Sequence, residues 1–201
     1  MHFSRAASTE LLPDVRLISV ATNLLVPEIC IGHTGRVTEP VRIAYRSARA
    51  DDADRISLLW SAANRARGGY VAEGDVAIVR GRITETDAVG YVAEDDGQIV
   101  GVAILSPARE NRGRGDAIPG LAHLNTVAVA SDLWGQGIAR SILDLIVDHA
   151  HGLGYTQIQL YVDDDNTRAR RLYERNDWNP TGEVARDEHV THLRYLRLIY
   201  R

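Results

Sequence analysis

Two glycines stand at a spacing that can do chemistry. Trp134-Gly135-Gln136-Gly137-Ile138-Ala139 follows a β-branched apolar run, Leu124 to Val129, and precedes a helical stripe of Ile138, Ile142, Leu145, Ile146 and His149. The order read from these residues is strand, glycine turn, helix. The first turn of a helix leaves backbone N–H groups unpaired and carries about +0.5 charge. Glycine lets an anion approach that backbone with no Cβ in the way. The turn is therefore a candidate phosphate cradle. An ordinary glycine loop ahead of an amphipathic helix has the same look, so the turn alone leaves both readings open.

A second constellation lies downstream. Ile158 to Val162 reads as a short strand, and Asp163-Asp164-Asp165-Asn166 as a loop and helix cap. The helix continues from Thr167 to Arg175. Asn166 and Tyr173 are seven residues apart, about two helical turns, so both can face one groove. Upstream, His123 shares a strand face with Asn125 and Val127 if the alternation is unbroken. A phenol near pKa ~10 can donate a proton, and an imidazole near ~6.5 can accept one.

Two common phosphate-binding motifs are excluded. A P-loop ends in Gly-Lys-Ser/Thr, and this chain contains no lysine, all 23 of its Lys/Arg residues being arginine. A dinucleotide fingerprint needs a third glycine, and Arg140 stands where it would fall.

The two constellations together resemble the GNAT superfamily of N-acyltransferases. That family places Arg/Gln-x-x-Gly-x-Gly/Ala at the strand-to-helix turn. Gly137 and Ala139 fill its last two positions, and Trp134 stands where Arg or Gln is usual. It also carries Asn-x-x-Ala-x-x-Leu-Tyr-Glu followed by Gly-Phe. Asn166, Ala169, Leu172, Tyr173 and Glu174 match in spacing, while Asp177-Trp178 replaces Gly-Phe. The resemblance covers residues 123–178 in motif and roughly 41–200 in architecture.

The resemblance implies an α/β fold with a mixed, mostly antiparallel central sheet flanked by helices and splayed at the acyl-CoA site. It implies an acetyl group passing from acetyl-CoA to a primary amine by direct attack on the thioester. Backbone groups of Val127, Ala128 and Val129 would polarise the thioester carbonyl, and Trp134, Gly135, Gln136, Gly137, Ile138, Ala139 and Arg140, with Asn166, would hold the coenzyme. Tyr173 would protonate the leaving thiolate. The family often puts a Glu six residues before the last strand valine, and here that position is His123, the candidate general base. A non-catalytic acyl-CoA-binding sensor is the alternative. The expected acceptor is a small-molecule or peptide amine, with no metal.

The rest of the chain sets bounds. With 201 residues, 45% hydrophobic and 25% charged, it can bury one substantial core. A net charge of −4 argues against nucleic-acid binding. The single cysteine, Cys30, excludes an internal disulfide and fits a cytoplasmic location, and no apolar run reaches the ~20 residues of a membrane span.

Residues 1–40 read as an N-terminal extension, broken by prolines and glycines, ahead of a domain over 41–201. The extension is expected to pack on the domain, to pack on a second protomer and make a homodimer, or to stay loose. Val41–Ser47 reads as the first strand, followed by a helix from Ala50 to Gly68-Gly69. Asp75, Glu85 and Asp87 are candidate contacts for an acceptor amine, or plain solvated carboxylates. Asp95-Asp96-Gly97 marks a hairpin, and 107–120 reads as a long arginine- and glycine-bearing loop without regular structure. His189 and His192 fall short of a metal site for want of further ligands. Pro180–Ala185 and Val190–Tyr200 read as closing antiparallel strands.

Overall fold

The computed structural model describes residues 42–72, 74–186 and 190–199. The expected N-terminal extension (residues 1–40) and His189 lie outside the described residues. The strands are β1 (Ala44–Ser47), β2 (Val89–Asp95), β3 (Gln98–Arg109), β4 (Ala117–Val129), β5 (Gln157–Asp163), β6 (Asn179–Arg186) and β7 (Thr191–Leu198). The helices are α1 (Ala53–Ala66), α2 (Asp75–Arg82), α3 (Glu110–Gly113), α4 (Ile138–Gly152) and α5 (Thr167–Glu174).

All strands join one seven-stranded sheet in the order β1-β2-β3-β4-β5-β7-β6. Every neighbouring pair is antiparallel except β4 with β5. Strand alternation sorts the side chains to two faces. Val92, Val102, Ile104 and Ala128 pack with Ile56 of α1 and Val79 of α2. Ala93, Ala103, Leu105 and Leu124 pack with Ile138, Ile142 and Ile146 of α4, in a cluster that also holds Ile158, Leu160, Trp178 and Tyr195. Asp96 and Gly97 both take positive φ, 45° and 75°, as a two-residue hairpin between β2 and β3 requires.

Three expectations need correction. The stretch 107–120 is not a structureless loop: β3 runs on to Arg109, a single helical turn follows, and β4 starts at Ala117. Buried Ala108 and Leu121 anchor this extension to the core. A register shift between Pro107 and Arg109 accommodates the proline, which has no N–H to give to a ladder. The stripe of α4 is broader than expected, since Leu143, Val147 and Ala150 are buried while Leu145 and His149 are only partly so. A helix lying flat on a sheet buries a wider face than a narrow seam. The first strand is shorter than expected, beginning at Ala44.

The edge of the sheet is held by a buried carboxylate. Asp52 is 2% exposed. It accepts hydrogen bonds from both terminal nitrogens of Arg46, from Arg55 and from the Arg49 N–H. Arg46 reaches on to Glu94 of β2 at 2.6 Å. These donors, Arg46 foremost, hold the Asp52 carboxyl well below the usual carboxylate range. Removing one partner of a buried pair leaves the other uncompensated. Asp52→Ala should therefore destabilise the domain by about 3 kcal/mol in urea unfolding; a loss within the range of ordinary surface substitutions would mean that the arginines re-solvate freely.

Candidate functional site

The site begins where β4 and β5 part. They pair only at Leu121–Gln157, Ala122–Ile158 and His123–Gln159. Beyond His123, no β5 residue pairs with β4. On the other edge Thr126 stands opposite Ile104 and Leu124 opposite Leu105, so Asn125 is an extra, bulged residue. The Ala130 N–H donates to the Val100 carbonyl. By alternation, Thr126 and Ala128 turn their backbone groups to β3, and Val127 and Val129 turn theirs to the open edge.

Side chains close part of that edge. The Trp134 indole N–H donates to the Val129 carbonyl at 2.8 Å, and an Arg82 guanidinium nitrogen donates to the Asn125 carbonyl. Val127 lies between them. The bulge also corrects the expected shared face of His123, Asn125 and Val127. Val127 packs on the α4 face with Ala122 and Leu124, and His123 falls on the opposite face.

The gap opens into a cavity of about 1400 Å³. Its wall brings together His123, Val127, Asn166 and Tyr173 from the expected set, with Trp60, Arg82 and Gln159. Ala128 and Val129, at the end of β4, do not line it, and neither do Trp134 to Arg140, which form the neighbouring turn and the start of α4. There Gly135 and Gly137 take φ of 87° and 83°, where side-chain-bearing residues are strained. A Cβ built at either glycine would meet nothing within 4 Å, so the backbone faces open space. Gly137 caps α4 with no side-chain hydrogen bond, and the first turn has no acidic residue. The unpaired N–H groups and the positive helix end suit a phosphate, so the turn passes the test for a pyrophosphate-bearing ligand. The Trp134 side chain is engaged with the protein itself, by its bond to Val129 and by Arg168 lying 4.4 Å over its ring. Arg140 is exposed, 3.9 Å from Asp144.

Tyr173 is 7% exposed, its ring beside those of Trp178 and Tyr195 at 5.8 and 6.3 Å. Burial raises its pKa, so the phenol stays protonated. Asn166 caps α5, its Oδ1 accepting from the Ala169 N–H at 3.1 Å. Glu174 accepts from the Tyr195 hydroxyl at 2.8 Å and ties α5 to β7. Asp177 takes φ of 62°, the left-handed conformation that the family's glycine would supply at this position. His123 is half-buried, and burial, aided by the charge of Arg82, lowers it to about 4 against a hydrogen bond with the Gln159 backbone. Its Nδ1 is enclosed and has no hydrogen-bond partner. His123 is thus a neutral imidazole at pH 7.

Sequence reasoning missed Arg82, Arg67 and Arg194, all in the cavity wall. Arg67 pairs with Asp163 and Asp165, and Asp163 also meets His192 Nδ1 at 3.0 Å. Arg194 pairs with Glu183 at 2.7 Å. Of the expected acidic contacts, Asp75 accepts from the Ala72 N–H at 2.7 Å and Asp87 pairs with Arg109 at 3.3 Å. No signal marked these arginines, because tertiary packing alone selects them from among the 23 basic residues of the chain. Among the described residues no three potential ligands cluster for a metal, and no helix is long and apolar enough to cross a membrane.

Residues 47–178 match the acetyltransferase (GNAT) family. Mycothiol acetyltransferase of Streptomyces griseus subsp. griseus is 26% identical over 189 residues, covering 87% of this chain and 53% of that protein. The chain spans about half the length, or less, of the curated relatives it matches. Ribosomal-protein-S18-alanine N-acetyltransferase from Escherichia coli superposes with a TM-score of 0.63 at 16% identity, over 80% of this chain and 96% of that one. Arabidopsis thaliana NAA60, solved in complex with acetyl-CoA, gives 0.59 at 18% identity, over 79% and 99%. At these identities the structural likeness is one of fold.

The depressed His123 pKa has a consequence for stability. The unfolded chain takes up this proton near pH ~6.5 and the folded chain only near about 4. The folded state is therefore undiminished above pH ~6.5 and loses stability as pH falls from there through about 4. The urea midpoint should fall across that window, and fall less in His123→Gln. Parallel profiles for the two proteins would remove His123 as a cause.

Proposed function

The chain belongs to the acetyltransferase (GNAT) family, and from that premise we propose that it transfers an acetyl group from acetyl-CoA to a primary amine. The observation that carries this reading is the meeting of Val127 and Tyr173 in one cavity at the parting of β4 and β5. Acetyl-CoA supplies the acyl group as an activated thioester.

Each residue then has a task. The N–H groups of the turn from Gly135 to Arg140 hold the pyrophosphate. The Val127 N–H, turned to the open edge, polarises the thioester carbonyl as charge develops there. Tyr173 donates its proton to the departing sulfur, and its raised pKa keeps that proton in place until then. His123, already neutral, accepts the proton of the attacking amine. Its low basicity makes it a weak driver of that step, so the acceptor must arrive largely as free amine. Asn166 holds the start of α5 against the cavity. A protein of the GNAT fold that binds acetyl-CoA without turnover is the competing account.

Thiol release from acetyl-CoA with a panel of small amines and peptides separates the two. Turnover with one acceptor class is expected, with kcat lowered about 10²-fold or more in Tyr173→Phe and KM for acetyl-CoA little changed. Binding of acetyl-CoA without thiol release across the panel would favour the non-catalytic account, and an unaltered kcat in Tyr173→Phe would take the phenol out of the mechanism.

A further inference from the structure

Four arginines line the cavity, and they are not equivalent. Arg67 is paired with Asp163 and Asp165, Arg109 with Asp87, and Arg194 with Glu183. Arg82 has no carboxylate within ion-pair distance among the described residues. One of its terminal nitrogens is held by the Asn125 carbonyl and the Thr126 hydroxyl, the latter at 3.1 Å. Its Nε and second terminal nitrogen have no hydrogen-bond partner among the described residues, and neither is sealed from the cavity. The carboxylates that act on it from a distance are Glu85 and Asp75.

This guanidinium is half-buried and desolvated, which weakens its hold on its charge. A partly dehydrated cation with an open fork of donors recognises a carboxylate in preference to a neutral group. Its position fixes what else the ligand must carry. Arg82 sits on the bulge of β4, directly before Val127, the residue assigned above to the thioester. A carboxylate on Arg82 would lie beside Asn125 and Thr126, the residues next to Val127, which suits an amine carried close to that carboxylate. Trp60, Tyr70 and Ile78 line the same cavity and offer an apolar wall for a side chain.

We propose that the acceptor is a free α-amino acid, its carboxylate anchored by Arg82 and its α-amine delivered to the reacting carbonyl. This rests on the acyl-transfer reading for the reaction but not for the binding site.

The test uses the full chain and two readouts. Each standard L-α-amino acid and its carboxamide is titrated against the protein, with and without coenzyme A, and each is then assayed for acetylation. At least one amino acid should bind and be acetylated, with kcat/KM about 10²-fold above that of its carboxamide. Arg82→Gln should raise KM for the amino acid tenfold or more and erase the preference over the amide; Arg82→Lys should restore part of it. Equal use of acid and amide by the wild-type protein, or no binding of any amino acid, overturns the proposal whether or not the variants fold. Arg82-dependent binding without acetylation keeps the carboxylate site but overturns the amino acid as acceptor, together with the acyl-transfer reading. Acetylation of amines lacking a carboxylate with equal efficiency keeps the acyl-transfer reading and overturns the proposal.

Discussion

A parallel contact of three residue pairs between β4 and β5 is the constraint on which this protein depends. Continued pairing would have satisfied the backbone of Val127 and Val129 and sealed the sheet. Strands that part leave polar backbone groups at a buried edge, which is costly unless partners are found. The protein answers with side chains from two different helical regions. Arg82 takes the Asn125 carbonyl, and Trp134 takes the Val129 carbonyl. What they leave uncovered includes the backbone of Val127, to which the proposed function assigns the thioester. The site is thus a controlled defect in a hydrogen-bonding ladder, and the bulge at Asn125 sets which residue is exposed by it.

The rest of the architecture supports that defect. The α4 helix packs on one face of β2 to β4, while α1 and α2 cover the other face and carry Arg82 to the gap. Tyr173 is held by the rings of Trp178 and Tyr195, and Tyr195 is tied back to α5 through Glu174. Residues that read as parts of a recognition motif are therefore divided between the cavity wall and support. Asn166 and Glu174 have visible structural partners, and Tyr173 lines the cavity itself.

Much of this could be read from the chain. The strand order around the glycine turn, the cap at Asn166, the hairpin at Asp96-Gly97 and the mostly antiparallel sheet follow from local pattern and from the family resemblance. What failed to show did so for physical reasons. A one-residue bulge has no composition of its own, so the alternation through Asn125 looked unbroken and put His123 and Val127 on the same face. The apolar anchors Ala108 and Leu121 flank a segment dense in turn formers, which hid a continuing hairpin. Arg82 resembles every other arginine until the fold decides which of them find carboxylates. Asp177 shows the opposite case: the glycine of the motif is missing, yet the chain takes the glycine-like conformation there with an aspartate.

Trp134 carries one more consequence. Where the family usually has a polar side chain free to reach the ligand, this chain has an indole bonded to Val129 and covered by Arg168. The turn is thereby fixed by the protein's own contacts before any ligand arrives. Ordering a loop on association opposes binding, and a loop ordered during folding has already met that entropy loss. Under the proposed function the exchange is of one contact for another: a direct side-chain bond to the coenzyme would be given up, and a cradle that does not have to be assembled would be gained.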